Sequence, residues 1–257
     1  MPYQFGALSE RLRRSEPLYV GWSTTAHPWL AGELARAGFE AVCCDMQHGT
    51  HDETSATAAV AAIVAAGAAP MVRVPVEAGP MASYMLDSGA ELIVAPMVNT
   101  AEEAQRLVEF TKFPPLGKRS WGPTTAFNLY GIEAPASYLA RANDAPLLAM
   151  IETQQAIDNL EDILSVEGVG GTFVGPSDLS IALSRGAHVA PSAPETHAAA
   201  KAIGDATRRH GKIAAILALT PDDARTARDN GFQVIILGTD FILLRDGARA
   251  FLDAMRP

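Results

Sequence analysis

Short, almost wholly apolar runs alternate along the chain with longer stretches of helical periodicity. The runs are Leu18–Trp22, Ala41–Met46, Pro70–Pro75, Glu91–Met97, Leu147–Ile151, Gly171–Val174, Ile213–Leu217 and Gln233–Gly238. Each is too short for a helix, and a continuous apolar run of this length marks a strand buried on both faces. Between them the pattern predicts helices over His27–Ala37, Asp52–Ala66, Pro80–Ser88, Ala101–Phe110, Ala136–Arg141, Gln154–Leu164, Pro194–His210 and Asp240–Ala254. Another is opened by Thr220-Pro221 and closed by Gly231. Gly38 and Gly67 are stop signals and Thr100 an N-cap. Phe5–Arg14 reads as a charged helix capping one end of the molecule. Thr111–Pro135, with Pro114-Pro115 and Arg119-Ser120-Trp121-Gly122-Pro123, is the longest stretch without clear periodicity, and loops of that length are uncommon unless functional.

Strand–helix alternation specifies a parallel sheet covered by helices. Eight repeats favour the α/β class in its closed form, a (β/α)8 TIM barrel, over an open doubly wound sheet. The length of 257 residues suits one such barrel, typically about 250 residues. No composition shift marks a boundary, so residues 1–257 are expected to form a single domain. Gly168, Gly170 and Gly171 precede a strand, the wrong order for a dinucleotide fingerprint.

Charge and composition narrow the partners. A net charge of −9 argues against nucleic acid or an anionic membrane surface, though not against a locally positive site. No run reaches the roughly 18 apolar residues of a membrane span. Met1–Pro17 is polar and lacks a signal-peptide core, and the adjacent Cys43 and Cys44 read as small buried hydrophobes. The cytoplasm is the expected compartment.

Two strand-to-helix junctions carry the chemistry. In Phe173-Val174-Gly175-Pro176-Ser177-Asp178-Leu179-Ser180 a strand breaks at Gly-Pro and Asp178 takes the N-cap position of a helix. Such a junction offers N–H groups to an anion and a carboxylate to a hard cation. In Leu147–Thr153 a strand ends on Glu152. Neighbouring strand ends would bring Glu152 and Asp178 to one point. Barrel enzymes work at the C-terminal ends of their strands, where Gln47, His48 and Arg73 also lie; Asp87 precedes the fourth strand, and only folding could bring it near His48. Singly, each has an ordinary reading: an ion-paired strand Arg, a loop His, a helix-capping Asp. Their common position at one end of apolar strands favours a site. Two carboxylates without a Cys/His cluster indicate Mg²⁺ or Mn²⁺; His48 and His51 have loop rather than helical spacing for a zinc element. Of the lysines, Lys112, Lys118, Lys201 and Lys212, none is placed at a strand's C-terminal end, which disfavours a Schiff base. There is no G-x-S-x-G elbow and no P-loop.

The pieces Asp45-Met46-Gln47-His48, Met71–Pro75, Leu86–Ala90, Ala95–Val98, Lys118–Gly122, Ile151-Glu152-Thr153 and Gly175–Ser180 resemble the HpcH/HpaI aldolase family, the class II pyruvate aldolases, over nearly the whole chain. The resemblance implies an aldehyde-lyase that cleaves 4-hydroxy-2-oxo acids to pyruvate or hydroxypyruvate and an aldehyde through a metal-stabilised enolate. By likeness, Glu152 and Asp178 hold the metal (Mg²⁺ or Mn²⁺, with Co²⁺ or Zn²⁺ as alternatives). Arg73 binds the 2-oxo group, and His48, oriented by Asp87, is the general base, acting directly or through a water. Gly175, Pro176, Ser177, Leu217, Trp22 and Arg119 are expected to contact substrate. The family implies a homo-hexamer, a dimer of trimers, with a swapped C-terminal helix. Two positions depart from its pattern: Gln47 stands where Glu is usual and Met150 where Gln is frequent. Trp22, Trp121 and Phe127 suggest an aromatic acceptor pocket or ordinary packing. Rival functions are an acyl-CoA ester lyase, which needs a cationic channel, and a phosphoenolpyruvate enzyme, for which Arg119 is the one further cation. A metal-binding scaffold without turnover would leave His48 and Asp87 without purpose.

Overall fold

The computed structural model describes residues 3–14 and 16–256. Eight parallel strands close on themselves in sequence order: β1 (Leu18–Ser23), β2 (Ala41–Asp45), β3 (Ala69–Arg73), β4 (Leu92–Ala95), β5 (Leu147–Met150), β6 (Gly171–Val174), β7 (Ile213–Ala218) and β8 (Val234–Leu237). Parallel neighbours need a crossover, and helices supply it. These are α2 (Pro28–Arg36), α3 (Glu53–Ala65), α4 (Gly79–Asp87), α5 (Ala101–Thr111), α6 (Thr124–Tyr130), α7 (Pro135–Ala142), α8 (Gln154–Asp158), α9 (Leu160–Ser165), α10 (Pro176–Leu183), α11 (Pro194–Arg209) and α12 (Pro221–Asp229). A short α1 (Ala7–Arg11) precedes the barrel and α13 (Asp240–Ala254) follows it. No helix among the described residues is long and apolar enough to cross a membrane.

The continuous apolar runs serve two cores at once. Alternate residues face inward, where Leu18, Val20, Cys43, Met71, Leu92, Val94, Leu148, Phe173, Ala215, Val234 and Ile236 fill the barrel. The intervening ones, among them Val42, Cys44, Val72, Ile93, Ala149, Val174 and Ile235, pack against the helices.

Three elements differ from the sequence pattern. The supposed loop Thr111–Pro135 contains α6, which ends on Gly131 in the left-handed conformation (φ 64°). The predicted Gln154–Leu164 helix breaks at Asn159, whose side-chain amide donates to the Asn99 carbonyl (2.8 Å) instead of lying along a continuous helix. Helix α10 begins at Pro176, with Gly175 as its extended N-cap, so Asp178 lies inside the first turn and is not the cap. Proline at the first helical position presets φ and fixes that start.

The N-terminal end of the barrel is plugged. Leu8 and Leu12 join the inner core, and the buried Glu91 accepts hydrogen bonds from Gly6 N–H (2.7 Å), Leu8 N–H (3.1 Å) and Tyr3 O–H (2.9 Å). Burial pushes the Glu91 carboxyl up to about 7 against these three donors.

That value sets a sign. A carboxyl raised above its unfolded pKa favours the fold at low pH and loses that contribution as pH rises through about 7. In EDTA, the melting temperature of the wild type should fall more between pH 5.5 and 8.5 than that of Glu91→Gln. Equal slopes would show that Glu91 does not titrate in this range.

Candidate active site

In-out alternation carries each inward series to one topmost position at the C-terminal mouth. From Val20 it reaches Trp22, from Cys43 Asp45, from Met71 Arg73, from Met150 Glu152, from Phe173 Gly175 and from Ala215 Leu217. Apolar layers thus end in a layer containing two carboxylates and a guanidinium.

Asp45 and Arg73 are register partners on adjacent strands. Their side chains form a buried bidentate pair, Arg73 Nε to Asp45 Oδ1 at 2.9 Å and Nη2 to Oδ2 at 2.6 Å. Trp22 lies beneath, its ring 4.9 Å from the guanidinium carbon, and its indole Nε1–H donates to Asp45 Oδ2 (3.2 Å). The N–H groups of Gln47 (3.0 Å) and His48 (3.2 Å) also reach Asp45 Oδ1, while the His48 side chain is exposed at the mouth. Burial works to raise the Asp45 carboxyl, but Arg73 and the two backbone donors outweigh it and hold the group below the ordinary carboxylate range.

Glu152 is 3% exposed, and its Oε1 accepts the Met97 N–H (2.9 Å). Met97 takes a left-handed φ of 55° to present that N–H, a costly conformation for a residue with a side chain. Asn99 braces it by donating to the Met97 carbonyl (2.8 Å) and is itself held by Thr153 and Asn159. Burial, reinforced by the neighbouring Asp178, pushes the Glu152 carboxyl up to about 7; Met97 N–H and Arg73 oppose the rise. At Gly175 a Cβ would come within 2.4 Å of Glu152 Oε2, so the backbone here must be glycine for the carboxylate to lie where it does. Met150 packs under the same spot. The first-turn N–H groups of Ser177 and Asp178 lie beyond the reach of any α10 carbonyl and open toward this mouth.

A buried carboxyl beside a second carboxylate, with all-oxygen donors, suits a hard divalent cation whose remaining ligands are water and substrate. No cluster of three or more His, Cys, Asp or Glu side chains exists among the described residues. His51 is not paired with His48 for zinc: it is buried and shares a hydrogen bond with Ser23 Oγ (3.1 Å).

Several expected site residues lie elsewhere within the chain. Asp87 ends α4, at the side where β4 begins, a strand length of roughly 15 Å from the mouth. It does not orient His48 in the same chain; it accepts from Arg119 Nη2 (2.5 Å). Arg119 is buried there, donating also to Tyr138 O–H (3.0 Å) and stacked 4.6 Å from the Phe113 ring, so it contacts no substrate at this chain's mouth. Trp121 and Phe127 belong to the same cluster, 5.9 Å apart edge to face, and do not form an acceptor pocket with Trp22. Trp22 is buried as the support of Arg73. The residues that sequence reasoning missed are Asp45, Met97 and Asn99. Period-two counting from Cys43 would have reached Asp45; no local signal marks Met97.

The sequence profile described as HpcH/HpaI aldolase/citrate lyase matches residues 18–247. A hydroxypyruvate/pyruvate aldolase of Roseovarius nubinhibens is 34% identical over 260 residues, covering 100% of this chain and 99% of its own. A 5-keto-4-deoxy-D-glucarate aldolase of Klebsiella pneumoniae is 34% identical over 236 residues, covering 91% of each chain. The crystal structure of an HpcH/HpaI aldolase/citrate lyase family protein from Burkholderia cenocepacia superposes with a TM-score of 0.86 at 28% identity, covering 98% of this chain and 100% of that one.

A cation held by Glu152 and Asp178 must displace the proton that Glu152 carries below about 7. Apparent Mn²⁺ affinity, by titration calorimetry, should therefore fall by up to about tenfold per pH unit below that value and level off above it. Gly175→Ala should weaken Mn²⁺ binding at every pH while the protein stays folded. A pH-independent affinity, or an unaffected Gly175→Ala, would remove Glu152 from the ligand set.

Proposed function

The chain belongs to the HpcH/HpaI aldolase/citrate lyase family and is a carbon–carbon lyase acting on small molecules; from this premise we propose that it is a divalent-metal-dependent aldolase. It cleaves 4-hydroxy-2-oxo acids reversibly to pyruvate or hydroxypyruvate and an aldehyde. The observation that supports this most is the convergence at one barrel mouth of a fixed guanidinium, Arg73, with a buried carboxyl, Glu152, whose proton is held to about 7 beside Asp178. The names of the relatives from Roseovarius and Klebsiella favour 2-oxo acid donors of this kind.

When bound by Glu152 and Asp178, a Mg²⁺ or Mn²⁺ ion supplies Lewis acidity to the 2-oxo acid. Arg73 places a fixed positive charge at the 2-oxo oxygen, where negative charge develops as the C3–C4 bond breaks. His48 accepts the 4-hydroxyl proton, C4 leaves as the aldehyde carbonyl, and the electron pair of the broken bond moves to the 2-oxo oxygen. Return of a proton to C3 completes the pyruvate. The N–H groups of Ser177 and Asp178 hold the substrate carboxylate, and Leu217 contributes an apolar wall. Lysine chemistry finds no support: Lys112 donates to the carbonyls of Asn143 and Ala145 before β5, Lys212 precedes β7, and Lys118 and Lys201 pair with Glu109 and Asp205.

The proposed assembly is a homo-hexamer with exchanged α13 helices. Asp240 anchors the start of α13 by accepting from Thr24 N–H (3.0 Å) and Thr25 N–H (2.9 Å), but Phe241, Leu244, Phe251, Leu252 and Met255 are left exposed. A groove of about 360 Å³, lined by Tyr19, Phe39, Leu219, Pro221 and Leu237, lies beside it. In such an assembly Asp87 serves a His48 only across a boundary between copies.

Pyruvate release from 4-hydroxy-2-oxo acids should vanish in EDTA, return with Mg²⁺ or Mn²⁺ and be untouched by borohydride. His48→Ala should lower kcat by about 10²-fold with Mn²⁺ affinity kept. Activity that survives EDTA, or a fully active His48→Ala, would sink the mechanism. Deleting residues 239–257 should reduce the native mass, by light scattering, to that of smaller assemblies; an unchanged mass would refute the exchange.

A further inference from the structure

We infer that Asp45 is a positioning residue that decides which nitrogen of Arg73 faces the substrate and ties that cation to the loop carrying His48. The inference rests on the role given to Arg73 above.

Asp45 is 1% exposed, at the end of β2, and receives five donors: Arg73 Nε and Nη2, Trp22 Nε1, and the N–H groups of Gln47 and His48. A carboxylate with this many donors has no lone pair to spare for a metal or for acid–base work. Its use is geometric. The pair is side-on, through Nε and Nη2, which leaves Nη1 as the guanidinium nitrogen without a partner among the described residues. An end-on pair through both terminal nitrogens would instead have left Nε, whose single N–H points sideways from the stem. Side-on pairing therefore leaves both N–H bonds of Nη1 for an oxyanion.

Two further contacts remove the remaining freedom. The Trp22 ring lies 4.9 Å from the guanidinium carbon and limits its tilt. The indole N–H holds Asp45 Oδ2 and so limits rotation of the carboxylate. On the other oxygen, the backbone of Gln47 and His48 is pinned to the same atom that holds Arg73 Nε. Cation and base loop are thus referred to one buried group, and neither can shift without the other.

Stability alone gives little reason for such a pair. A buried ion pair costs much of its attraction in desolvation, and apolar replacements of similar volume are often neutral or better. Three of the inward series end at this level in Trp22, Gly175 and Leu217, so the barrel tolerates uncharged residues there. A charged pair at this level is accounted for by the orientation it imposes.

The test is a double-mutant cycle on the metal-loaded full chain with Asp45→Asn, Arg73→Met and the combination. Two readouts are taken: kcat for aldol cleavage, and calorimetric binding of oxalate, a planar anion shaped like the enolate of a 2-oxo acid. Asp45→Asn should lower kcat by about 10²-fold and weaken oxalate binding. In the Arg73→Met background the same change should cost less than about threefold on either readout, because the residue acts through Arg73. A full additional loss there, or an Asp45→Asn variant that binds oxalate and turns over normally, overturns the inference. Oxalate binding separates this failure from that of the lyase reading, since it can be measured in a protein that cleaves nothing. Trp22→Phe keeps an aromatic ring, of smaller area, and removes the indole donor; it should show a smaller loss with the same dependence on Arg73. If Asp45→Asn does not fold by circular dichroism, the Trp22→Phe cycle decides, and additivity in it overturns the inference.

Discussion

Everything in this molecule depends on the alternation of side chains in strands that are covered on both sides. A closed parallel barrel has an inside and an outside, and successive residues go to one and then the other. Each strand must therefore be apolar at nearly every position, with one set of residues for the barrel and one for the helix layer. The inner set runs in layers from Leu8 and Leu12 at the plugged end to Trp22, Asp45, Arg73, Glu152, Gly175 and Leu217 at the mouth. Polar groups are confined to the ends of the barrel, because only there can charge be answered by loop backbone, helix N-termini, water or ligand. The candidate site is where the apolar layers run out.

The charged groups of that layer are stabilised unequally. Asp45 is saturated by donors and held below the usual carboxylate range, and Arg73 is locked against it. Glu152 has one backbone donor and a second carboxylate nearby, and its carboxyl is pushed up to about 7. Glu91, at the opposite end, is raised to about the same value with three donors. Similar values have different causes. Glu91 is sealed under an N-terminal segment that it holds in place, whereas Glu152 sits at an open mouth beside Asp178. A raised pKa is therefore no guide to chemistry until the neighbours are known. The second carboxylate beside it and the Gly175 backbone close against Oε2 are what set Glu152 apart, and they support its proposed role as a cation ligand.

A second polar knot forms where the chain enters β4 and β5. Arg119 and Asp87 pair inside a cluster of Phe5, Phe113, Trp121, Phe127 and Tyr138. Trp121 is 48% exposed on the rim of this cluster. With the uncovered face of α13, it adds a second apolar surface compatible with contact between copies.

Much of this was legible in the residues themselves. Eight apolar runs and the helices between them specify the barrel, because a strand covered on both faces has a composition that few other elements share. The placement of His48, Arg73, Glu152 and Asp178 at strand ends follows directly from that order. The sequence could also mark Gly175-Pro176 as a break, but not that Pro176 starts the helix and puts Asp178 inside its first turn. Tertiary structure decided the rest. Asp87 and Arg119 lie far apart along the chain and are brought together at the barrel's other end, because a helix that follows a strand must run back before the next strand begins. Trp121 and Phe127 pack with Tyr138 through the undetected helix α6, whose pattern is too short to announce itself. Asp45 looked like the end of an apolar run and is the group on which Arg73 and the His48 loop converge, since register across adjacent strands is not written in either strand alone. Met97 takes a left-handed backbone that no local residue demands, held by Asn99, Thr153 and Asn159 from three different segments. Local composition determined which elements form; long-range register and loop bracing determined which side chains meet.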